Sequence, residues 1–365
     1  MPRDLHFLRH ALRLAERGLG RTWPNPSVGC VLAKDDRILA AACTADGGRP
    51  HAETQALAMA GATARGATAY VTLEPCAHHG QTPPCARALI DAGIARVVIA
   101  CTDPDPRVSG KGAAMLHAAG IAVDLRDIPE ARRLNRGFFR RVRENLPHVA
   151  MKLATSLDGR ITDSHGHSQW ITGDAARAHG QQLRGRYDCL ITGIGTVLAD
   201  NPQMTVRAPH RAHPQLVRIV CDRHLRLPLT STLVKSANRQ PVWLITSAEA
   251  VEQAASAATE LREADVKFLV LEDAALPPLS ILQALAAEGI TRALIEAGSA
   301  LSTAFIAAGT VETLHWYRAP LLLGNAGKPA IDALDTALQT VLPRPLVASQ
   351  RLGADRYECY EHALP

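Results

Sequence analysis

Apolar residues in the first eighteen positions recur at helical spacing. Leu5, Leu8, Leu12 and Ala15 share one face, which predicts a helix over 4–18. Pro24-Asn25-Pro26 then breaks the chain. The pattern beyond it shortens to that of a strand at 28–32, with a hairpin partner at 37–42. A helix over 51–60 follows Pro50, and ATAYVTL at 67–73 reads as a buried strand. A helix over 85–92 is closed by Gly93, a β-branched strand runs over 96–100, a helix over 112–119 is closed by Gly120, and a last strand covers 121–125. This β-α-β-α order predicts a sheet covered on both faces by helices. A basic helix over 130–145 ends at Asn145-Leu146-Pro147, and we place a domain boundary there. Strand signals restart at 149–153. They then alternate as helix 173–186, strands 188–192, 216–221 and 241–246, helix 249–263, strand 267–271, helix 279–288, strand 292–296, helix 299–308 and strand 311–317. The halves show no repeat of one another.

Composition narrows this picture. The chain has 365 residues, 47% hydrophobic and 21% charged, which fits a folded protein of two domains. No run of eighteen apolar residues predicts a membrane span, and charges spread through the first helix distinguish it from a signal peptide. Forty Lys and Arg stand against 35 Asp and Glu, a mild excess without a dominant basic run. That balance suits anionic small molecules and does not call for nucleic acid or a membrane. Eight cysteines without a secretion signal argue against a disulfide scaffold and point to a reducing cytoplasm. Six are flanked by apolar residues and read as small buried hydrophobes. Only Cys76 and Cys85 sit in a chemical context.

That context begins with His51-Ala-Glu53 at a helix start and continues with Glu74-Pro75-Cys76 at the end of an apolar strand. One imidazole (His51) and two thiolates (Cys76, Cys85) make a tetrahedral zinc set with one position left open for water, the mark of a catalytic site. Zinc lowers the pKa of its water to about 7. Glu53, two residues from the first ligand, can carry the water proton to a leaving amine. Zinc deaminases of nucleobases combine His-x-Glu with Pro-Cys-x-x-Cys. Here eight residues, AHHGQTPP, separate the cysteines, and Pro83-Pro84 can start the next helix at Cys85. Two alternatives stand beside this reading: a closed zinc knuckle completed by His78 or His79, and no metal at all. Asn25, held between prolines, either points its amide at a heterocycle or serves a turn. The loop from Asp103 through Arg107 to Gly112 is turn-rich and leads into a helix. It can take a phosphate or be a loop only.

PNPSVGCV, HAE, LEPCAHHGQTPPC and the DPDPRVSGKG loop together resemble the deaminase half of a family of bifunctional riboflavin-biosynthesis enzymes. Its two activities are diaminohydroxyphosphoribosylaminopyrimidine deaminase and 5-amino-6-(5-phosphoribosylamino)uracil reductase. The eight-residue gap is that family's, and it differs from cytidine and tRNA adenosine deaminases. The resemblance implies a cytidine-deaminase-like three-layer α/β domain over 1–146. His51, Cys76 and Cys85 would hold Zn2+, Glu53 would shuttle protons, and Asn25, Asp103 and Arg107 would contact substrate. Three positions depart from the family pattern: Thr44 in place of a His, Gln81 in place of Lys or Arg, and Asp105 in place of Asn. All three concern substrate recognition.

The second half lacks a complete Gly-x-Gly-x-x-Gly. Gly193-Ile194-Gly195 begins one, but Leu198 fills the third glycine position, so a Rossmann site is not expected. The strand ending ALIEAG at 293–298 precedes a helix start that can hold a pyrophosphate or be a plain strand-turn-helix junction. MKLATSLDGRITDSHGHSQWITG (151–173), TGIGTVLADNPQMTVR (192–207), IEAGSALSTAFIAAG (295–309) and APLLLG (319–324) resemble the reductase half of the same family. The resemblance implies a dihydrofolate-reductase-like domain over 147–365 that uses NADPH. Lys152, Asp200 and Glu296 would form its centre. Ser168, Arg184, Met204, Arg207 and Glu296 would line substrate; Ala154, Trp170, Thr196, Asp200, Gly298 and Ser299 would line the cofactor. Arg184 and Arg207 can fork onto a ribose phosphate. Trp170 offers a flat wall or packs in a core, and Lys152 acts on the opened ribose or sits solvated at a strand end. The resemblance also implies a homo-oligomer. Rival readings are a paralogue acting on a related pyrimidine, a zinc-containing protein with only the reductase active, and a nucleic-acid-editing protein. The last predicts a basic stripe and a short Cys-x-x-Cys, and the chain has neither.

Overall fold

A computed structural model describes residues 2–79, 83–207, 215–335 and 343–362. They form two compact units, Met1–Pro147 with Glu288–Thr291, and His148–Ala287 with Arg292–Pro365.

The first unit opens with helix α1 (Pro2–Gly18), whose stripe of Leu8, Ala11, Leu12 and Ala15 is buried. Strands β1 (Gly29–Lys34) and β2 (Arg37–Cys43) follow, then α2 (Ala52–Ala60), β3 (Thr68–Val71), α3 (Cys85–Asp91), β4 (Arg96–Ile99), α4 (Lys111–Ala118), β5 (Ala122–Leu125) and α5 (Pro129–Glu144). The sheet order is β2-β1-β3-β4-β5. β1 pairs antiparallel with β2 and β3, and β3, β4 and β5 run parallel. The helices fall in two groups, α1 with α5, and α2 through α3 to α4. Where α1 crosses β1, a Cβ on Gly29 would stand 1.9 Å from the Ala11 carbonyl oxygen, so only glycine lets the layers meet. The parallel pair β3/β4 carries the chain into Glu74-Pro75-Cys76 and Cys101-Thr102-Asp103 side by side, tied by the Glu74 N–H donating to the Cys101 carbonyl at 3.0 Å. Ligand sites in α/β sheets gather at such carboxyl ends.

The second unit begins with β6 (His148–Thr155) and continues with α6 (Asp174–Arg184), β7 (Cys189–Gly193), α7 (Ile194–Asp200), β8 (Val217–Cys221), α8 (Thr232–Lys235) and β9 (Val242–Ser247). It goes on through α9 (Ala248–Gln253), α10 (Ala255–Glu263), β10 (Val266–Leu271), α11 (Pro278–Ala287), β11 (Arg292–Ile295), α12 (Ser299–Ala307), β12 (Thr313–Arg318), β13 (Leu346–Leu352) and β14 (Asp355–Glu361). The nine strands run β10-β9-β8-β7-β11-β6-β12-β14-β13. Pairing is parallel from β10 to β12, and β14 and β13 add as antiparallel neighbours. The inner strands β7, β8, β9 and β11 are buried almost throughout, as a sheet flanked on both faces requires.

Two expectations change here. The helix expected over 249–263 is two helices, because Ala254 leaves helical geometry at φ −123°, ψ 45°. The sheet also ends in a hairpin, β13–β14, that hydrophobic patterning did not predict. Among the described residues no helix is long and apolar enough to cross a membrane, and all eight cysteines are free.

Candidate active sites

In the first unit, His51 is the residue before the first turn of α2, Cys76 follows the β3 strand end, and Cys85 opens α3. Their donor atoms lie within 4.8 Å of one another. His51 Nδ1 is 3.2 Å from Cys85 Sγ and 3.8 Å from Cys76 Sγ. A tetrahedral zinc ion with bonds of about 2.0–2.3 Å separates its donors by roughly 3.5–3.8 Å, so this set fits. Among the described residues, neither His78 nor His79 joins it, and the closed-knuckle alternative falls away. The start of α3 serves the partner sulfur: the Cys85 backbone N–H donates to Cys76 Sγ at 3.2 Å. Hydrogen bonds from the Cys85 thiol and His51 hold Cys76 down at about 4, and the same shared sulfur contact pushes Cys85 up.

Glu53 sits in the first turn of α2, almost fully buried, against the Cys85 thiol. Burial pushes its carboxyl up to about 7, against the pull of His51. Glu74 has a structural task. Its carboxylate accepts the backbone N–H groups of Gly110 and Ala113, both at 3.1 Å, and so fixes the start of α4. α4 in turn presses on the metal loop: a Cβ on Gly112 would lie 2.0 Å from the Pro75 carbonyl oxygen.

Asp103 is buried in the same loop cluster, its carboxyl pushed up to about 7 by burial. It accepts the Asp105 N–H at 2.8 Å. Asp105 accepts the Arg107 backbone N–H at 2.8 Å and its guanidinium edge, with Nε 3.0 Å from each carboxylate oxygen and Nη2 2.5 Å from Oδ2. Arg107 is therefore engaged by its own loop. Asn25 donates to the Gly48 carbonyl at 3.0 Å, which fixes the amide. Thr44 is buried and exchanges bonds with Val28, accepting its N–H at 3.0 Å. Gln81 lies outside the described residues.

In the second unit, Lys152 projects from β6 and its Nζ stands 3.7 Å from Glu296, which follows β11. Burial alone would raise Glu296, but Arg184 and Lys152 outweigh it and hold the carboxyl at about 2. Arg184, at the end of α6, forks onto Glu296 at 2.6 and 3.0 Å and donates its remaining nitrogen to the Thr205 carbonyl at 3.0 Å. The donor edge of Arg184 that was expected to fork onto a phosphate faces the Glu296 carboxylate in this structure. Arg207 remains exposed, its backbone N–H held by Gln181 at 2.9 Å. Between them, Met204 takes a left-handed φ of 50° and is buried.

Asp200 ends α7 in an exposed position, and the carboxylate at Lys152 is Glu296. Trp170 is 67% exposed, with Arg177 stacked 4.4 Å over its ring, so it is a surface wall and not core. Ser168 lies half-buried in the same loop, and Ala154 lies on β6 beside Tyr317. Thr196 opens toward Gly298, where a built Cβ would lie 3.8 Å from its hydroxyl. Gly298 precedes α12 and Ser299 starts it. The buried hydroxyls of Ser299 and Thr192 find no protein partner. Ser299 stands at the start of nine-residue α12 and Thr192 on β7; an unpartnered buried hydroxyl at a helix start suits a phosphate-bearing cofactor.

Comparison with known proteins agrees with both sites. Residues 1–101 match the model of the cytidine and deoxycytidylate deaminase zinc-binding region, and residues 147–354 match that of the RibD C-terminal domain. The chain belongs to the RibD family. The riboflavin biosynthesis protein RibD of Escherichia coli is 41% identical over 92% of this chain and 94% of its own. That of Bacillus amyloliquefaciens is 40% identical over 89% and 87%. A crystal form of Acinetobacter baumannii RibD superposes with TM-score 0.88 at 40% identity, covering 99% of both chains. A Thermotoga maritima structure described as a diaminohydroxyphosphoribosylaminopyrimidine deaminase/5-amino-6-(5-phosphoribosylamino)uracil reductase gives TM-score 0.86 at 32% identity, covering 98% of both. The RibD family joins a zinc-binding deaminase domain to a reductase domain, and this chain has both.

Proposed function

We propose that this chain performs two consecutive steps of riboflavin biosynthesis, with residues 1–146 as the deaminase and 147–365 as the reductase. The observation that carries the reading is the gathering of His51, Cys76 and Cys85 into one donor set with the buried carboxyl of Glu53 beside it. The substrate is the 5′-phosphate of a 2,5-diamino-6-ribosylaminopyrimidinone.

In the first unit, His51 Nδ1 and the sulfurs of Cys76 and Cys85 would hold zinc, which would supply Lewis acidity for attack at the carbon bearing the 2-amino group. Glu53 takes a proton from the attacking water and gives it to the departing nitrogen. A C–O bond forms, the C–N bond breaks and ammonia leaves. A carboxyl near 7 is suited to both halves of that transfer. Asn25 and Asp103 orient the ring, and Arg107 meets the phosphate.

In the second unit, Ala154, Trp170, Thr196, Asp200, Gly298 and Ser299 would hold NADPH, which would supply the hydride that turns the opened ribose into a ribityl group. Lys152, beside Glu296, is placed to donate a proton to the ribose ring oxygen as the C1′–O4′ bond opens. Ser168, Met204 and Arg207 line the substrate, and Arg184 holds Glu296 in place. The product of the first site is the substrate of the second, a cytoplasmic sequence of small-molecule steps on a homo-oligomer, without nucleic acid or membrane.

Mass spectrometry of the diaminopyrimidinone after incubation with zinc-loaded protein tests this, with and without NADPH. Amino-to-oxygen exchange without NADPH, followed by addition of hydrogen with it, is the expected result. Reduction of supplied deaminated substrate without any deamination would remove the first activity from the proposal, and neither step would remove both.

A further inference from the structure

Two side chains come within reach of the Lys152 Nζ. One is Glu296, 3.7 Å from Nζ. The other is the ring of Tyr317 on β12, with Nζ 5.8 Å from its centroid. β12 runs parallel to β6, with His315 opposite Lys152 and Tyr317 opposite Ala154, so the ring belongs to the neighbouring strand. Each of the two is gripped by helix α6. Arg184 forks onto Glu296, and His179, five residues earlier, meets the Tyr317 hydroxyl at 2.7 Å.

We propose that His179 and Tyr317 are positioning residues of the reductase: by fixing the Tyr317 ring, His179 holds the Lys152 ammonium in the place where it serves the ribose. The inference rests on the reductase reading above.

The physical need is clear from the side chain. A lysine side chain is long and free to change rotamer, and the contact with Glu296 at 3.7 Å is a single restraint on its end. The face of an aromatic ring within about 6 Å attracts a cation, so Tyr317 supplies the second restraint. That restraint depends on ring orientation. Tyr317 is almost fully buried, and its hydroxyl is fixed by His179. The Tyr357 ring, 5.1 Å from that of Tyr317 and 4.6 Å from that of His179, closes the back. Tyr357 is itself tied, with His315 Nδ1 2.9 Å from its hydroxyl and His315 Nε2 2.8 Å from that of Tyr187. Burial and the Arg186 charge lower His179, so a neutral imidazole accepts the hydrogen bond that the Tyr317 hydroxyl donates.

The test is steady-state reduction of 5-amino-6-(5-phosphoribosylamino)uracil by NADPH with the full chain, following cofactor absorbance. Tyr317→Leu removes the ring. It is expected to lower kcat about tenfold with KM for both substrates within about twofold. Tyr317→Phe and His179→Phe each remove only the hydrogen bond, and each should lower kcat about threefold. The double variant should be no worse than either single, because both break one bond. His179→Asn, which keeps an acceptor near the Nδ1 position, should recover much of the loss. The deaminase rate of the same preparations reports folding of the chain. Rises in KM that match the falls in kcat, additive losses in the double variant, or equal losses in His179→Asn and His179→Phe would overturn the proposal. If Tyr317→Leu fails to fold, the His179/Tyr317→Phe cycle decides alone. Absence of NADPH oxidation by the unsubstituted chain would overturn the reductase reading instead.

Discussion

A carboxyl group two residues from a metal-ligand histidine has one geometric advantage: the same helix start fixes both. Glu53 occupies that place, buried and raised to about 7. Glu53→Gln keeps the shape and removes the proton carrier. Deamination should fall by about 10²–10⁴, while bound zinc, measured by atomic absorption, and reduction of supplied deaminated substrate stay at parent levels. A loss of zinc as well would give Glu53 a role in holding the metal. Asp105 makes the opposite case, a carboxylate that occupies the guanidinium proposed to meet the phosphate. It forks with Arg107 and accepts that residue's backbone N–H. Asp105→Asn keeps an acceptor for the backbone and releases the guanidinium toward a phosphate. The deaminase KM should fall several-fold with kcat little changed, and an unchanged KM would show that Arg107 does not meet the phosphate. His51, Cys76, Cys85 and Glu53 were legible because their chemistry is compressed into short motifs. The Arg184 fork on Glu296 was not, since 112 residues separate the partners and both residue types also suit a substrate. Tyr317 and His179 are 138 apart, and no motif marks them.

Between elements, the first unit is tied by Asp4 near the start of α1. Its carboxylate accepts Arg96 of β4 at 2.9 Å through two nitrogens, Arg126 after β5 at 2.7 Å, and the Tyr70 hydroxyl of β3 at 3.1 Å. The bonds from Arg96 lead in holding Asp4 at about 2, below its ordinary 3.8. A pKa depressed in the folded chain adds stability above the unfolded value and loses it as pH falls through the folded one. The contribution is complete above roughly pH 5 and fades between about pH 4 and 2. Asp4→Asn should therefore lower the Tm at neutral pH, and the gap to the parent should narrow as calorimetry descends through that window. A gap constant with pH would mean the bonds matter and the charge does not. Element order was readable for most helix stripes and apolar strands of both sheets, which follow from periodicity, whereas α8 and β14 were missed although both bury residues. β13 was not readable, because six of its seven residues are exposed and it lies at the sheet edge, where no alternation is needed. The break between α9 and α10 falls at an alanine, without the glycine or proline that would announce it.

At the scale of the molecule, a metal-dependent and a metal-independent step share one polypeptide. The thiolates of Cys76 and Cys85, free of any disulfide, face no competitor for zinc except protons and chelators. The groups that we propose for the reductase centre, Lys152 and Arg184 with Glu296, are two cationic side chains on one carboxylate, and the proposed step calls on no metal. Removal of zinc therefore separates the two activities within one preparation. After dialysis against a strong chelator, deamination should fall at least a hundredfold and return on stoichiometric addition of zinc. Reduction of supplied 5-amino-6-(5-phosphoribosylamino)uracil, followed through NADPH oxidation, should stay within about twofold of the untreated protein, because hydride transfer needs only its own unit's side chains and cofactor. A parallel thermal melt should then show the metal's effect in the part of the transition that belongs to the first unit, since zinc stabilises only the state that binds it. Equal loss of both activities, restored together by zinc, would make the metal a structural support of the whole chain, and the separation of roles between the two units would have to be abandoned.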